Sequence, residues 1–322
     1  MLAKAGAAVE LARPPIGTRR VAILMATKDG AAFLDEQLQS IARQTHADWR
    51  LVVSDDGSTD GTKDIVSRFS GEHPQRVTIL DGPRQGVSAN FLSLATNPDI
   101  DADFFAFSDQ DDIWHGDKLA RALDWLATIP ADTPSMYCGR TELMSADGRC
   151  YGLSPLFRRP PSFANALVQS LGGGNTMAFN RAAKKLLERA GPLNVVLHDW
   201  WVYQLVSAAG GRIHYDPEPV LKYRQHAQSL IGSNFGLRAG LVRIRMILKG
   251  RFHEWNRTNI AALERVPDGV LRPQSRAVMS LFASALTAPL LTRLVYLRRS
   301  GVYRQTLLGN IGLIAAAIIK RL

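Results

Sequence analysis

Cysteine is scarce in this chain of 322 residues: Cys138 and Cys150 are the only two. A single pair supplies neither a disulfide framework nor a zinc ligand set, and fits a reducing compartment. No HExxH, GxxxxGK[ST] or GxGxxG occurs, which removes the usual support for a zinc hydrolase, a P-loop nucleotidase or a dinucleotide-dependent enzyme. An Asp-x-Asp-x-Asp-Gly loop closed by Glu is also missing, so a calcium module is excluded. Long apolar runs are lacking as well. The longest late one, 307–319, has about 13 residues and contains Asn310, against the roughly 20 that cross a bilayer. Residues 1–19 lack the apolar core of a signal peptide, being interrupted by Glu10 and Arg13, and read as a disordered lead-in.

Acid is missing from one third of the chain. Residues 226–322 hold 15 Lys/Arg against 3 Asp/Glu, a net of +12, whereas residues 1–225 hold 24 against 26, a net of −2. The basic pI therefore belongs to the C-terminal region, and a break that sharp suggests two regions with different partners. Otherwise 46% hydrophobic and 21% charged residues are ordinary for a globular protein.

The apolar run 21–26 reads as a strand covered on both faces. Phe33, Leu34, Leu38 and Ile41 recur at helical spacing, with Asp35 and Glu36 near the positive end of the helix. Strands over 51–53, 77–80 and 104–107 alternate with helices over 62–69 and 88–95. Helices between short apolar strands imply βαβ units and a parallel sheet. The loops at 26–30, 54–61 and 108–112 then leave one edge of that sheet, and each carries Asp. Ligands bind beyond the carboxyl ends of such strands. Asp109, Asp111 and Asp112 would repel one another unless a cation lies among them, and an Asp-x-Asp pair suits Mg²⁺ or Mn²⁺ holding a diphosphate. The plainer alternative for this run is a solvated acidic turn before the helix that starts at Asp117-Lys118.

Beyond residue 130 the pattern loosens. Gly172-Gly173-Gly174-Asn175 marks a bend or a close backbone approach. His198-Asp199-Trp200-Trp201 opens an apolar helix over 202–209. Two adjacent Trp residues on a helix point in different directions, which allows one to fill the core and the other to wall a sugar-binding cleft, although plain core burial is the commoner fate. Residues 235–249 form a basic amphipathic pattern, and from Pro273 onward apolar helix is interrupted by Arg298-Arg299. The alternative for this tail is a helical bundle with a solvated basic exterior.

From Val21 to about Gly232 the chain resembles the inverting family 2 glycosyltransferases of the GT-A fold. The anchors are Ala26-Thr27, Ser54-Asp55-Asp56-Gly57-Ser58-Thr59-Asp60, Ser108-Asp109-Gln110-Asp111-Asp112-Ile113-Trp114, His198-Asp199-Trp200-Trp201 and Tyr223-Arg224-Gln225-His226. The Asp-Gln-Asp-Asp-Ile-Trp form together with His-Asp-Trp-Trp resembles the bacterial rhamnosyltransferase branch more narrowly. The resemblance implies an α/β GT-A domain over residues 20–232, with a mostly parallel central sheet flanked by helices. A helical, basic, membrane-associating region over 233–322 follows. It implies dTDP-L-rhamnose as donor, a lipid-linked or polysaccharide acceptor, Mg²⁺ or Mn²⁺ as cofactor, and a cytoplasmic site of action on the inner face of the cell membrane.

Position by position, the resemblance assigns Asp199 to the catalytic base and Asp111, with His226, to the metal. Ala26, Thr27, Asp29, Asp56 and Asp109 are assigned to the nucleotide sugar; Trp200 and Trp201 are expected at the acceptor because indole faces suit sugar rings. Lys28-Asp29 departs from the family's usual aromatic followed by Asn, which leaves the part played by Asp29 open. A sugar-cleaving hydrolase also needs paired carboxylates, but has no use for the Asp56 loop. A non-catalytic basic protein binding membrane or nucleic acid would suit the pI of about 9.9, yet it leaves the acidic edge unexplained. No aromatic-basic RNA-binding motif is present, and nucleic acid is not an expected partner.

Overall fold

The computed structural model describes residues 19–226 and 250–322. Its first half alternates as the hydrophobic pattern dictates: β1 (Val21–Thr27), α1 (Leu34–Ala42), β2 (Trp49–Asp55), α2 (Thr62–Glu72), β3 (Val77–Asp81), α3 (Val87–Ala95) and β4 (Phe104–Ser108). These four strands are parallel, with β1 between β2 and β4 and β3 outside β2. Every residue of β1 is buried, because both faces of the sheet are covered. Side chains alternate across it: Ile23 and Met25 pack with Leu38 and Leu123 on one face, Leu24 and Ala26 with Phe91 and Trp201 on the other.

The second half departs from simple βαβ order. It contains β5 (Ile113–Trp114), α4 (Lys118–Leu126), β6 (Ser135–Ser145), β7 (Cys150–Leu153), α5 (Phe163–Ala166), β8 (Ala178–Asn180), α6 (Arg181–Ala190), α7 (His198–Ala208) and β9 (Arg212–Gln225). β8 pairs antiparallel with both β4 and β6, β6 runs parallel to β9, and β5 pairs antiparallel with β9, so the sheet order is β3-β2-β1-β4-β8-β6-β9-β5. The expected mostly parallel sheet with flanking helices is present, with an antiparallel insertion that the sequence did not announce.

Four helices follow: α8 (Arg251–Glu264), α9 (Pro273–Thr287), α10 (Leu290–Ser300) and α11 (Leu307–Ile318). Arg298 and Arg299 lie in the last turn of α10, so they do not interrupt helix; the breaks fall at Ala288-Pro289 and after Ser300. Leu263, Phe282, Leu297 and Ala317 share a core with Phe91, Phe107 and Trp201. The expected division at 232/233 and the amphipathic stretch 235–249 lie outside the described residues.

Candidate active site

The register of the parallel strands sets the site. Thr27 pairs with Asp55, and Met25 with Ser108, so the three loops leave the sheet side by side. They are then bonded to one another. The backbone N–H of Lys28 donates to Gln110 Oε1 at 2.8 Å, and Gln110 Nε2 returns a bond to Lys28 O at 2.9 Å. Asp29 adopts φ 46°, a left-handed conformation that Asp tolerates better than most residues. Its carboxylate accepts from the Thr59 N–H at 2.8 Å, which holds it below the ordinary carboxylate range. The expected nucleotide contact Asp29 therefore stands as a latch between two loops.

Asp55, which the sequence reading passed over, is buried at the end of β2. Burial works against its charge, but bonds from Ser58 Oγ at 2.6 Å, Ser58 N at 2.9 Å and Thr27 Oγ1 at 3.0 Å outweigh it and lower its pKa. The Thr27 hydroxyl is thus turned to Asp55. Ala26 is buried beside it. Asp56 accepts from the backbone N–H groups of Arg84 at 2.5 Å and Gly86 at 3.0 Å, fastening the turn after β3 to this edge. Arg84 has φ 57°, a conformation disfavoured for a residue with a Cβ, and this carboxylate holds it there.

Oxygens of Asp109, Asp111 and Asp112 lie within 4.8 Å of one another. Burial, then the charges of Asp112, Asp111 and Asp199, push Asp109 well above its ordinary pKa. Burial and Asp111 likewise raise Asp112. Asp112 is fully buried and structural: its Oδ2 accepts from Asn175 Nδ2 at 2.6 Å and its Oδ1 from Arg224 N at 3.2 Å. Lys118 lies in this interior, 2.5 Å from Asn175 O and 3.2 Å above the Trp114 ring; burial lowers its pKa well below the lysine range. Lys118 and the buried Arg224, which also pairs with Glu36, stand against four carboxylates, so the edge keeps an excess of negative charge that a divalent cation would relieve. Asp109 and Asp111 are partly exposed, and His226 Nε2 stands 2.7 Å from Asp111 Oδ2.

Strand β9 brings His226 there. Its 14 residues run the length of β6 and end at the acidic edge, where Arg224 donates to Asp111 O at 3.0 Å and to Glu36 Oε2 at 2.6 Å. Asn175, Lys118 and Arg224 were not singled out from sequence, although Asn175 and Arg224 fall inside the quoted glycine run and Tyr-Arg-Gln-His motif.

Asp199, in the first turn of α7, is near enough for its charge to act on Asp109. Its Oδ2 accepts from Gly174 N at 3.1 Å and its Oδ1 from Trp200 N at 2.5 Å. Burial raises its pKa to about 6 despite these donors. Gly174 has to be glycine, since a Cβ there would sit 2.3 Å from His198 Nε2. His198 is stacked on Phe91 at 4.0 Å, and burial depresses its pKa to about 3, so it is neutral. Burial, then the carboxylates of Asp109, Asp112, Asp111 and Asp199, raise the Tyr223 phenol.

Trp200 and Trp201 correct an expectation. They are 4% and 1% exposed. Trp200 Nε1 donates to Ala166 O at 2.6 Å, and Trp201 lies in the main core. An indole buried to that extent has no face left for a sugar ring, so neither walls a cleft.

Residues 22–183, half of the chain, match the sequence model of the family described as Glycosyl transferase family 2. The dTDP-rhamnosyl transferase RfbG of Shigella flexneri is 28% identical over 248 residues, covering 74% of this chain and 83% of that protein. The UDP-Glc:alpha-D-GlcNAc-diphosphoundecaprenol beta-1,3-glucosyltransferase WfgD of Escherichia coli is 32% identical over 99 residues, which is 31% of this chain and 38% of that one. Among solved structures, the mannosyltransferase PcManGT from Pyrobaculum calidifontis, in complex with GDP-Man and Mn²⁺, superposes with a TM-score of 0.55. It is 20% identical, over 94% of this chain and 86% of that one, a likeness of fold.

Proposed function

The chain belongs to glycosyl transferase family 2, and from that premise we propose that it is a metal-dependent, inverting transferase. Its donor is dTDP-L-rhamnose and its acceptor a lipid-linked or polysaccharide glycan of the cell surface. The observation that carries this reading is the cluster of Asp109, Asp111 and Asp112 in the loop after β4, with Asp199 on α7 near enough for its charge to act on Asp109. The similarity to a dTDP-rhamnosyl transferase over most of both chains supports the donor. The similarity to a transferase named for a diphosphoundecaprenol-linked sugar acceptor supports a lipid-linked acceptor.

In this reading Asp111, with Asp109 and His226 beside it, holds Mg²⁺ or Mn²⁺. The bound ion would stabilise the charge that develops on a departing diphosphate. The loops carrying Ala26, Thr27, Asp29 and Asp56 shape the nucleotide's seat. Asp199 takes the proton of the acceptor hydroxyl as its oxygen bonds to the anomeric carbon and the sugar–phosphate bond breaks on the opposite face. One base and no covalent intermediate invert the anomeric centre. A pKa near 6 makes Asp199 a stronger base than an ordinary Asp while leaving it mostly ionised at neutral pH. Among the described residues no helix is long and apolar enough to cross a membrane. The excess of Lys and Arg in residues 226–322 instead supports peripheral attachment to the anionic inner face of the cell membrane.

The test is a panel of nucleotide sugars, including dTDP-L-rhamnose, scored for metal-dependent thermal stabilisation and for turnover. A ligand at 100 times its Kd adds about 2.7 kcal/mol of stability. Preference for dTDP-L-rhamnose, loss of turnover with chelator, and its loss in Asp111→Asn are expected. Another preferred donor would overturn the donor assignment, and full activity of Asp111→Asn would remove that carboxylate from the mechanism.

A further inference from the structure

Helix α11 faces the wrong way for a helix in water. Leu307, Ile311, Ile314 and Ile318 recur at i, i+4, i+7 and i+11, one stripe of a helix, and all four are exposed, Leu307 to 77%. The side turned to the protein carries smaller residues, with Ala316 and Ala317 buried. On α10, Leu291 at 79% and Val295 are exposed one turn apart, and the same stripe continues into Arg298 and Arg299. Of the twelve large hydrophobic side chains exposed among the described residues, nine fall between 290 and 319.

This surface is held rigidly. Arg293 is buried and donates to Ala285 O at 3.2 Å, Ala288 O at 2.6 Å and Ala317 O at 2.7 Å. It therefore ties the start of α10 to the end of α11, while residues 301–306 join their other ends, so the two helices form a hairpin. Each apolar stripe ends in basic residues: Arg298-Arg299 on α10, and Lys320-Arg321 just past α11. No Asp or Glu follows Asp268 in the sequence.

We infer that the α10–α11 hairpin is a membrane-insertion surface that seats in one leaflet of an anionic bilayer. Its aliphatic stripe enters the acyl boundary and its arginines and lysine meet the lipid phosphates. The charge pattern selects this occupant. A second copy on a two-fold axis would set cation against cation, whereas an anionic leaflet offers apolar and negative layers together. A helix of 12 residues is about 18 Å long, too short for a hydrocarbon core of about 30 Å, so it lies in the interface. The inference deepens the membrane attachment proposed above by assigning it to hydrophobic insertion of named side chains in addition to charge.

The full chain is floated with phosphatidylcholine vesicles, with and without phosphatidylglycerol, as parent and as the combined Leu307→Ser, Ile311→Ser, Ile314→Ser, Ile318→Ser variant. Removing four inserted aliphatics is expected to cut partition onto the anionic vesicles by about tenfold or more. Turnover with water-soluble donor and acceptor should stay at the parent level. Should that variant not fold, Ile311→Trp decides alone, its emission shifting to the blue and being quenched by brominated acyl chains. Unchanged partition, or no quenching, overturns the inference. So does shielding of that indole from acrylamide before vesicles are added, which would mean that another protein surface covers the hairpin. Vesicle binding without any turnover would instead count against the catalytic reading, so the two fail separately.

Discussion

A side chain that must accept a proton gains from burial what the folded protein loses. Asp199, the proposed base, is the case here: burial lifts its pKa from 3.8 to about 6, and the ionised form is correspondingly disfavoured in the folded state. A raised folded-state pKa stabilises below the unfolded value and loses that stability as pH climbs through the folded value. Asp199 should therefore cost on the order of 1–3 kcal/mol at neutral pH. Asp199→Asn is expected to raise the melting temperature above pH 6 and to lower kcat by roughly 10²- to 10⁴-fold, with donor affinity kept. Parent activity should fall as pH drops through about 6. Weakened donor binding with kcat intact would make Asp199 a binding residue. At this scale the sequence showed which aspartates gather, because runs of acid at strand ends are visible in one dimension. It did not show which carboxylates are already engaged. Asp56 and Asp112 hold backbone and Asn175, and two indoles expected at a cleft are core, since burial depends on what packs from elsewhere.

Among the elements, the parallel strands β1 to β4 were legible because continuous apolar runs separated by amphipathic helices admit few alternatives. β6, β8 and β9 were not. β8 has three residues, and β9 contains Pro217 and Pro219 in a mixed pattern that only its pairing with β6 makes a strand. The helical tail was legible in kind but not in its joints. Pro289 has no N–H to offer the Ala285 carbonyl four residues back, and Arg293 supplies that donor from α10. Replacing Arg293 by Met should leave the Ala285 and Ala288 carbonyls at the end of α9 unpaired, costing about 2–4 kcal/mol in denaturant unfolding. Unchanged stability would mean that the three bonds only offset the burial of the guanidinium.

Over the whole molecule, charge and chemistry separate along the chain. The acidic edge belongs to the domain that matches family 2, and the alternative of a non-catalytic basic protein falls with that match. The basic region shares the domain's core where it is described, so the two are not independent bodies joined by a linker. Residues 303–305 bond to Ser162, Asn165 and Gln169, and Ser162 and Asn165 in turn bond Tyr203 on the helix that carries Asp199. A run of hydrogen bonds therefore links the tail to the helix that carries Asp199.

The central proposal is that Asp109 and Asp111 from the loop after β4, with His226 from the end of β9, hold one divalent ion beneath a nucleotide diphosphate. Crystals soaked with Mn²⁺ and dTDP test it directly through the anomalous signal of the metal. The expected result is one strong peak on the Asp111 carboxylate, with diphosphate oxygens on the same ion and Asp199 across from it. A peak away from Asp109, Asp111 and His226, or a diphosphate bound remote from the loops at 26–30 and 54–61, would contradict it.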